Sequence, residues 1–260
     1  MDKEVEVLVA CMKQKDFSLY EKMNINTNAV FANQSDEFSY KEIIKDGNVL
    51  KMITTNDRGV GKNRNIAILF STAKYLVFAD EDLTYKDNFH NTIIEAFHKL
   101  PKADMIIFDL EYSDNSNCER TKIKKIKRLN IFNSMRYGAP RFVIKRESLL
   151  KNNLWFSLLY GGGAPYSSGE DSLFLREAFR KKLRIYSYPV VIATTDTSSS
   201  TWFKGYNEKY FFDKGILLAN LFPKLKWIIA IYYSFKYSKY TNEFSILQIF
   251  RLIKKGIKNF

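Results

Sequence analysis

Cysteine and histidine are nearly absent from this chain: Cys11 and Cys118, His90 and His98 are the whole supply in 260 residues. The cysteines have no metal-ligand spacing and are too few for a disulfide scaffold. A reducing compartment is the simple reading, with Cys11 a core or strand-end packing residue. No run approaches the ~20 apolar residues that a membrane-spanning helix needs. The start Met1-Asp2-Lys3-Glu4 leads directly into strand-like sequence, with no signal peptide. Together these absences give the expectation of a protein made and kept in the cytoplasm. Acidic residues are missing at one end: from Leu221 to Phe260, eight Lys and Arg face Glu243 alone, so +7 of the net +13 sits there. No nucleic-acid-binding motif accompanies this charge, so a nucleic-acid partner is not expected. There is no internal repeat.

What is present is the composition of a folded protein, 46% hydrophobic and 15% aromatic, long enough for one large domain or one domain with a small appendage. Glu4 to Ala10 reads as a buried first strand. Asn24 to Ala32 ends in a second, followed by the polar turn Asn33-Gln34-Ser35-Asp36, and Val49 to Thr54 reads as a third. Asn63 to Ala73 and Asn88 to Leu100 have apolar residues at helical spacing, the second carrying His90 and His98 as ordinary surface or packing residues. Lys74 to Ala79 and Ala103 to Leu110 are further strands. The basic stretch 120–128 reads as a loop or exposed helix, Pro140 to Ile144 and Leu183 to Val191 as strands, and Ser172 to Lys182 as a helix. Strands alternating with helices predict an α/β fold with a mostly parallel sheet flanked by helices.

The strand Lys74 to Ala79 runs into Asp80-Glu81-Asp82. Two carboxylates one residue apart at the C-terminal end of a strand point the same way, into the crevice where open α/β sheets bind ligands. A hard divalent cation wants such oxygens, and Mg²⁺ takes one or two carboxylates beside waters and phosphates. Upstream lies Asn56-Asp57-Arg58-Gly59-Val60-Gly61-Lys62-Asn63-Arg64-Asn65; downstream, Gly161-Gly162-Gly163-Ala164-Pro165 must be a turn or loop, and Gly169-Glu170-Asp171 opens a helix. In order and spacing these segments resemble family 2 glycosyltransferases of the GT-A fold, over roughly residues 4 to 220.

The resemblance implies a Rossmann-like nucleotide-sugar domain and a site for a UDP-sugar with Mn²⁺ or Mg²⁺. Asp82 is the expected metal ligand, with Asp80 beside it or on the ribose. Arg64, near a helix start, would grip the diphosphate bidentately, aided by glycines that let the backbone approach closely and by Asn56 and Lys62. Asp171 resembles the family's catalytic base, and Glu170 would orient the loop or an acceptor hydroxyl. The alternative for Asp171 is a helix N-cap, and for Arg64 a surface salt bridge. Two turns depart from the family pattern. The first strand ends Ala10-Cys11-Met12 in place of a Pro-x-Tyr-Asn turn, leaving Ala10 and Met12 at the nucleotide. Asn33 stands where an aspartate usually holds the uracil. Thr194 to Lys204, with Trp202 and Lys204, is a candidate lid over the diphosphate.

Residues 1–220 are therefore expected to form the transferase domain and 221–260 a basic, aromatic, helical tail. Phe222 to Tyr233 and Ile246 to Phe260 have the composition of interfacial helices for an anionic membrane surface, on the inner face of the cell membrane. The alternative is a helical pair packed on the domain or in a homo-oligomer. The acceptor implied is a lipid-linked saccharide of a surface polysaccharide. A nucleotidyltransferase of similar fold, or a decayed scaffold in a polysaccharide assembly complex, are the other readings.

Overall fold

The computed structural model describes residues 4–113, 122–196 and 205–260. Its first half is built on β1 (Val5–Met12), β2 (Asn28–Gln34), β3 (Ser39–Lys45), β4 (Asn48–Thr55) and β5 (Tyr75–Asp80). The second half adds β6 (Leu83–Tyr85), β7 (Met105–Tyr112), β8 (Lys127–Arg128), β9 (Phe142–Lys145) and β10 (Ile185–Thr195). One sheet contains them all, in the order β3-β4-β2-β1-β5-β9-β7-β10-β6, with β8 beside β10. The run β4-β2-β1-β5 is parallel, while β9 is antiparallel to both β5 and β7. The sheet is thus mixed, and its parallel half delivers the ends of β1, β2 and β5 to one edge.

Helices cover both faces. They are α1 (Ser18–Lys22), α2 (Val60–Phe70), α3 (Phe89–Lys99), α4 (Ile131–Ser134), α5 (Arg146–Lys151) and α6 (Glu170–Arg180). Strand alternation divides the core between them. Val7 and Val9 of β1 join Phe31, Val77 and the α3 residues Phe89, Ile93 and Phe97 in one layer. Leu8, on the opposite side, joins Val30, Phe78, Ala67 and Ile68 of α2, and Phe174, Leu175 and Ala178 of α6. Burial on both sides is why β1 and β5 read as continuous apolar runs.

Four local expectations need correction. β2 continues through Asn33 and Gln34, both buried, where the sequence suggests a turn. β3 is an edge strand the pattern does not reveal, because five of its seven side chains face solvent and lack alternation; its only signal is the Asp46-Gly47 turn, both residues at positive φ. Pro140 lies in a 3-10 turn before β9, consistent with its missing N–H. The described part of the basic stretch, 122–128, ends in the strand β8, and Ile123 is buried with its N–H donating to Asp109.

The C-terminal part forms a separate helical layer of α7 (Glu208–Leu221), α8 (Lys226–Tyr237) and α9 (Ile246–Lys258). Ile249, Ile253 and Ile257 of α9 pack on Phe211 and Leu218 of α7, with Ala230 and Tyr237 of α8. The two backbones touch: a Cβ on Gly256 would lie 2.0 Å from the Phe212 carbonyl oxygen, and one on Gly215 2.1 Å from that of Ile253. The apolar stripe of α9 therefore faces inward rather than toward an interface. α8 has its small and tyrosyl face inward and its larger apolar residues outward.

Candidate active site

A cleft of about 360 Å³ opens at the C-terminal ends of β1 and β5, where the β-strand rule places a ligand. Ala10 and Met12 form one wall, Asp80 and Asp82 another, and Glu170 and Asp171 face them from the start of α6. Cys11, Arg64 and Glu81 also line it, as do Gln34, Val60, Gly162, Ser167 and Ser168, the last five not among the expected site residues. A larger hollow of about 830 Å³ lies at the other end of the strands, around Thr72–Lys74 and Lys145–Glu147, and shares none of these carboxylates.

Arg64 is the centre of the site. It lies on the second turn of α2, with its side chain 3% exposed and its guanidinium over the Phe156 ring. One terminal nitrogen donates to Asp171 Oδ1 at 2.9 Å and to Glu170 Oε1 at 3.3 Å, the other to Asp80 Oδ1 at 2.9 Å. A guanidinium surrounded by three carboxylates pairs with them, forming a cage that gathers the acids from β5 and α6. It is no surface salt bridge. Its Nε has no partner among the described residues.

Asp171 stands in the first turn of α6, where the helix dipole favours a carboxylate. Gly169 before it has φ 123°, and a Cβ there would strike Leu217 at 2.5 Å; this close seat on α7 sets where α6 begins. Burial, and then the charge of Glu170, push the Asp171 carboxyl up to about 7, against the pull of Arg64. Its side chain is still 24% exposed, on the cleft side. A simple N-cap it is not, since its carboxylate bonds Arg64 across the site.

All three acids of the triplet line the cleft, with different partners. Asp80 and Asp82 line the cleft with Arg64 and Thr195 as partners, Thr195 donating to Asp82 at 3.2 Å. Glu81 accepts from the Met12 N–H and the Gln14 amide, tying β5 to the end of β1. Burial, followed by the charge of Asp80, raises the Asp82 carboxyl above the usual range. Among the described residues no three His, Cys, Asp or Glu side chains gather as a self-sufficient metal site. A pair of carboxylates, one of them bonded by nothing stronger than a hydroxyl, fits a hard cation that completes its shell with ligand oxygens and water.

Other expected residues are placed differently. Asn33 is fully buried; both its amide hydrogens are used, on Gln14 O and Thr54 Oγ1, and its oxygen accepts from the Gln14 N–H. It braces the turn after β1 instead of facing a base. Asn56 is exposed, and Lys62 pairs with Asp57 at 2.8 Å outside the cleft. Gly61 packs against the chain itself, where a Cβ would meet Ser157 O at 2.2 Å. Lys204, Trp202 and most of the candidate lid lie outside the described residues, as does Cys118. Cys11 is buried, and burial raises its thiol out of the reactive range. Two buried contacts were not legible: Asp109–Arg141 at 2.7 Å, and Asp213 of α7, whose Oδ2 accepts from the Ser167 N–H and Lys209 beside the loop that leads to Asp171.

A mixed sheet whose parallel half ends in acids, with an acidic helix start facing them across one cleft, is the architecture of a GT-A-type nucleotide-sugar domain. The chain belongs to glycosyl transferase family 2, whose family model matches residues 29–181, more than half of its length. Its fold is similar to that of S. aureus TarS. The crystal structure of TarS 1-349 in complex with UDP-GlcNAc aligns with a TM-score of 0.64 at 15% identity, over 90% of this chain and 73% of that one. The UDP complex of the same fragment aligns with a TM-score of 0.61 at 15% identity, over 90% and 72%. A further TarS structure gives 0.61 at 15% identity over 90% of this chain but 44% of TarS. No curated protein matches at the sequence level.

Proposed function

We propose that the protein moves a sugar from a UDP-sugar to a hydroxyl of a lipid-linked saccharide, with inversion at the anomeric carbon, as a step in building a surface polysaccharide. One observation carries this reading: Asp171 shares a cleft with Asp80 and Asp82, on the opposite wall, with its carboxyl raised to about 7. Two acidic groups on the strand side suit a metal-bound diphosphate, and a poised carboxylate on the helix side suits an acceptor hydroxyl. The acceptor oxygen attacks the anomeric carbon while its proton passes to Asp171. The bond from that carbon to the diphosphate oxygen breaks, and its electron pair leaves with UDP. Mn²⁺ or Mg²⁺ held by Asp82 and Asp80 would supply Lewis-acid stabilisation of the departing diphosphate. Arg64 keeps Asp80, Glu170 and Asp171 gathered, and Glu170 orients the loop at Gly169, whose N–H it accepts at 3.1 Å. The complexes of TarS with UDP and UDP-GlcNAc support a uridine donor for this fold.

The test is a screen of nucleotide sugars for release of nucleoside diphosphate, with and without Mn²⁺ or Mg²⁺. Slow hydrolysis of one UDP-sugar without acceptor, dependent on metal and lost in Asp82→Ala, is expected. Calorimetry showing equal UDP affinity in EDTA would remove the metal from the reading, and absence of turnover with every UDP-sugar would remove the donor.

A further inference from the structure

We infer that the outward face of α8 is a docking surface for an anionic lipid bilayer. Trp227, Ile228, Ile231, Tyr232 and Phe235 recur at i, i+1, i+4, i+5 and i+8, which places them on one stripe of the helix, each at least 40% exposed. The opposite stripe, Ala230, Ser234 and Tyr237, is buried in the α7–α9 layer. The helix has thus already spent one face on the protein, and its more apolar face is turned away from it. Large apolar side chains in a contiguous exposed row mark an interaction surface.

Charge decides what the surface meets. Between Asp213 and Glu243 the chain has no acid, yet it carries Lys214, Lys224, Lys226, Lys236 and Lys239. Lys224 and Lys226 sit at the start of the stripe, Lys236 and Lys239 at its end. Lys226 lies over the Trp227 ring at the start of the exposed row, its stem along the aromatic surface, whereas Lys236 lies over Tyr233 and Tyr237 on the side packed toward α7. A second copy meeting this face about a two-fold axis would set lysine against lysine with no acid on the element to answer them. An anionic headgroup layer answers Lys224, Lys226 and Lys239 together while Trp227 and Tyr232 occupy the boundary. A helix of 12 residues is about 18 Å long. No helix among the described residues is long and apolar enough to cross a membrane, so α8 would lie in the interface plane. This inference uses nothing from the cleft and stands independently of the sugar-transfer reading.

Co-sedimentation of the full chain with phosphatidylcholine vesicles, with and without phosphatidylglycerol, tests it. Binding to the anionic vesicles should be at least roughly tenfold tighter than to neutral ones and should weaken in high salt. Lys224→Glu with Lys239→Glu should reduce it on the order of fivefold per lysine. Ile228→Ser with Phe235→Ser should abolish it with an unchanged unfolding midpoint, because both side chains point away from the core. Quenching of tryptophan emission by brominated lipid, lost in Trp227→Phe, reads the contact without altering charge or fold. Equal binding to both vesicle types, or unaltered binding of the Ile228/Phe235 variant, overturns the inference. So does a solution dimer that this variant dissociates while vesicles go unbound.

Discussion

Replacing Arg64 by methionine keeps most of the volume over Phe156 and removes the charge that three carboxylates share. The side chain is 3% exposed, so the loss is that of a buried pair broken from one side, about 3–5 kcal/mol. Asp80 is 37% exposed and its share is screened by water, which brings the expected cost toward about 3 kcal/mol. The pH dependence distinguishes this from a packing defect. In the folded protein Asp171 is already raised to about 7, above its unfolded value, and Arg64 is what holds it from rising further. Between its unfolded and folded values the native state binds more protons than the unfolded one, so stability falls as pH rises through that window. Without Arg64 the window extends upward, and the gap between variant and wild type should widen from pH 5 to pH 8. Urea unfolding of both proteins across that range measures it. A gap below about 1 kcal/mol, within the range of exposed ion pairs, or one that does not change with pH, would refute the cage.

Asp171→Asn should lower sugar transfer by roughly 10² or more while leaving UDP affinity within a few-fold, since a base acts on the acceptor and not on the donor. In the wild type, kcat should rise with pH through about 7 as Asp171 loses its proton, and the residual activity of the variant should lack that limb. The product should have inverted configuration by NMR; retention would remove single displacement. Gly256→Ala should destabilise the C-terminal layer by about 1–3 kcal/mol, because its Cβ would meet the Phe212 carbonyl at 2.0 Å and neither backbone can give way; thermal unfolding checks it.

The parts of the site that were readable from sequence are those whose meaning is local. Asp80-Glu81-Asp82 follows an apolar run and reaches the cleft at the end of β5, where Glu81 is bonded to Met12 and Gln14. Gly169-Glu170-Asp171 opens a helix by its own chemistry. What could not be read is set by partners distant in sequence. Arg64 meets Glu170 and Asp171 across 106 and 107 positions, and nothing in the Arg-Asn dipeptide says that carboxylates will reach it before a phosphate does. Asn33 looks free at the end of a strand until Gln14 and Thr54 consume its amide. The edge strand β3 escaped because solvent on its faces leaves no hydrophobic period, and the Asp46-Gly47 turn was its one local mark.

The helical tail shows the same limit and adds a physical link between the two ends of the chain. Periodicity identifies Ile249, Ile253 and Ile257 as a stripe but is silent on whether lipid or protein covers it; Gly215 and Gly256, small where the helices cross, are what let α7 take that place. α7 in turn reaches the cleft. Leu217 closes on Gly169 at the start of α6, and Asp213 accepts the Ser167 N–H in the loop that leads to Asp171. Asp213 is buried, its Oδ2 held by Lys209 and the Ser167 N–H and its Oδ1 without a partner among the described residues. The layer that presents the outward face of α8 is therefore continuous, through α7, with the backbone that positions Asp171.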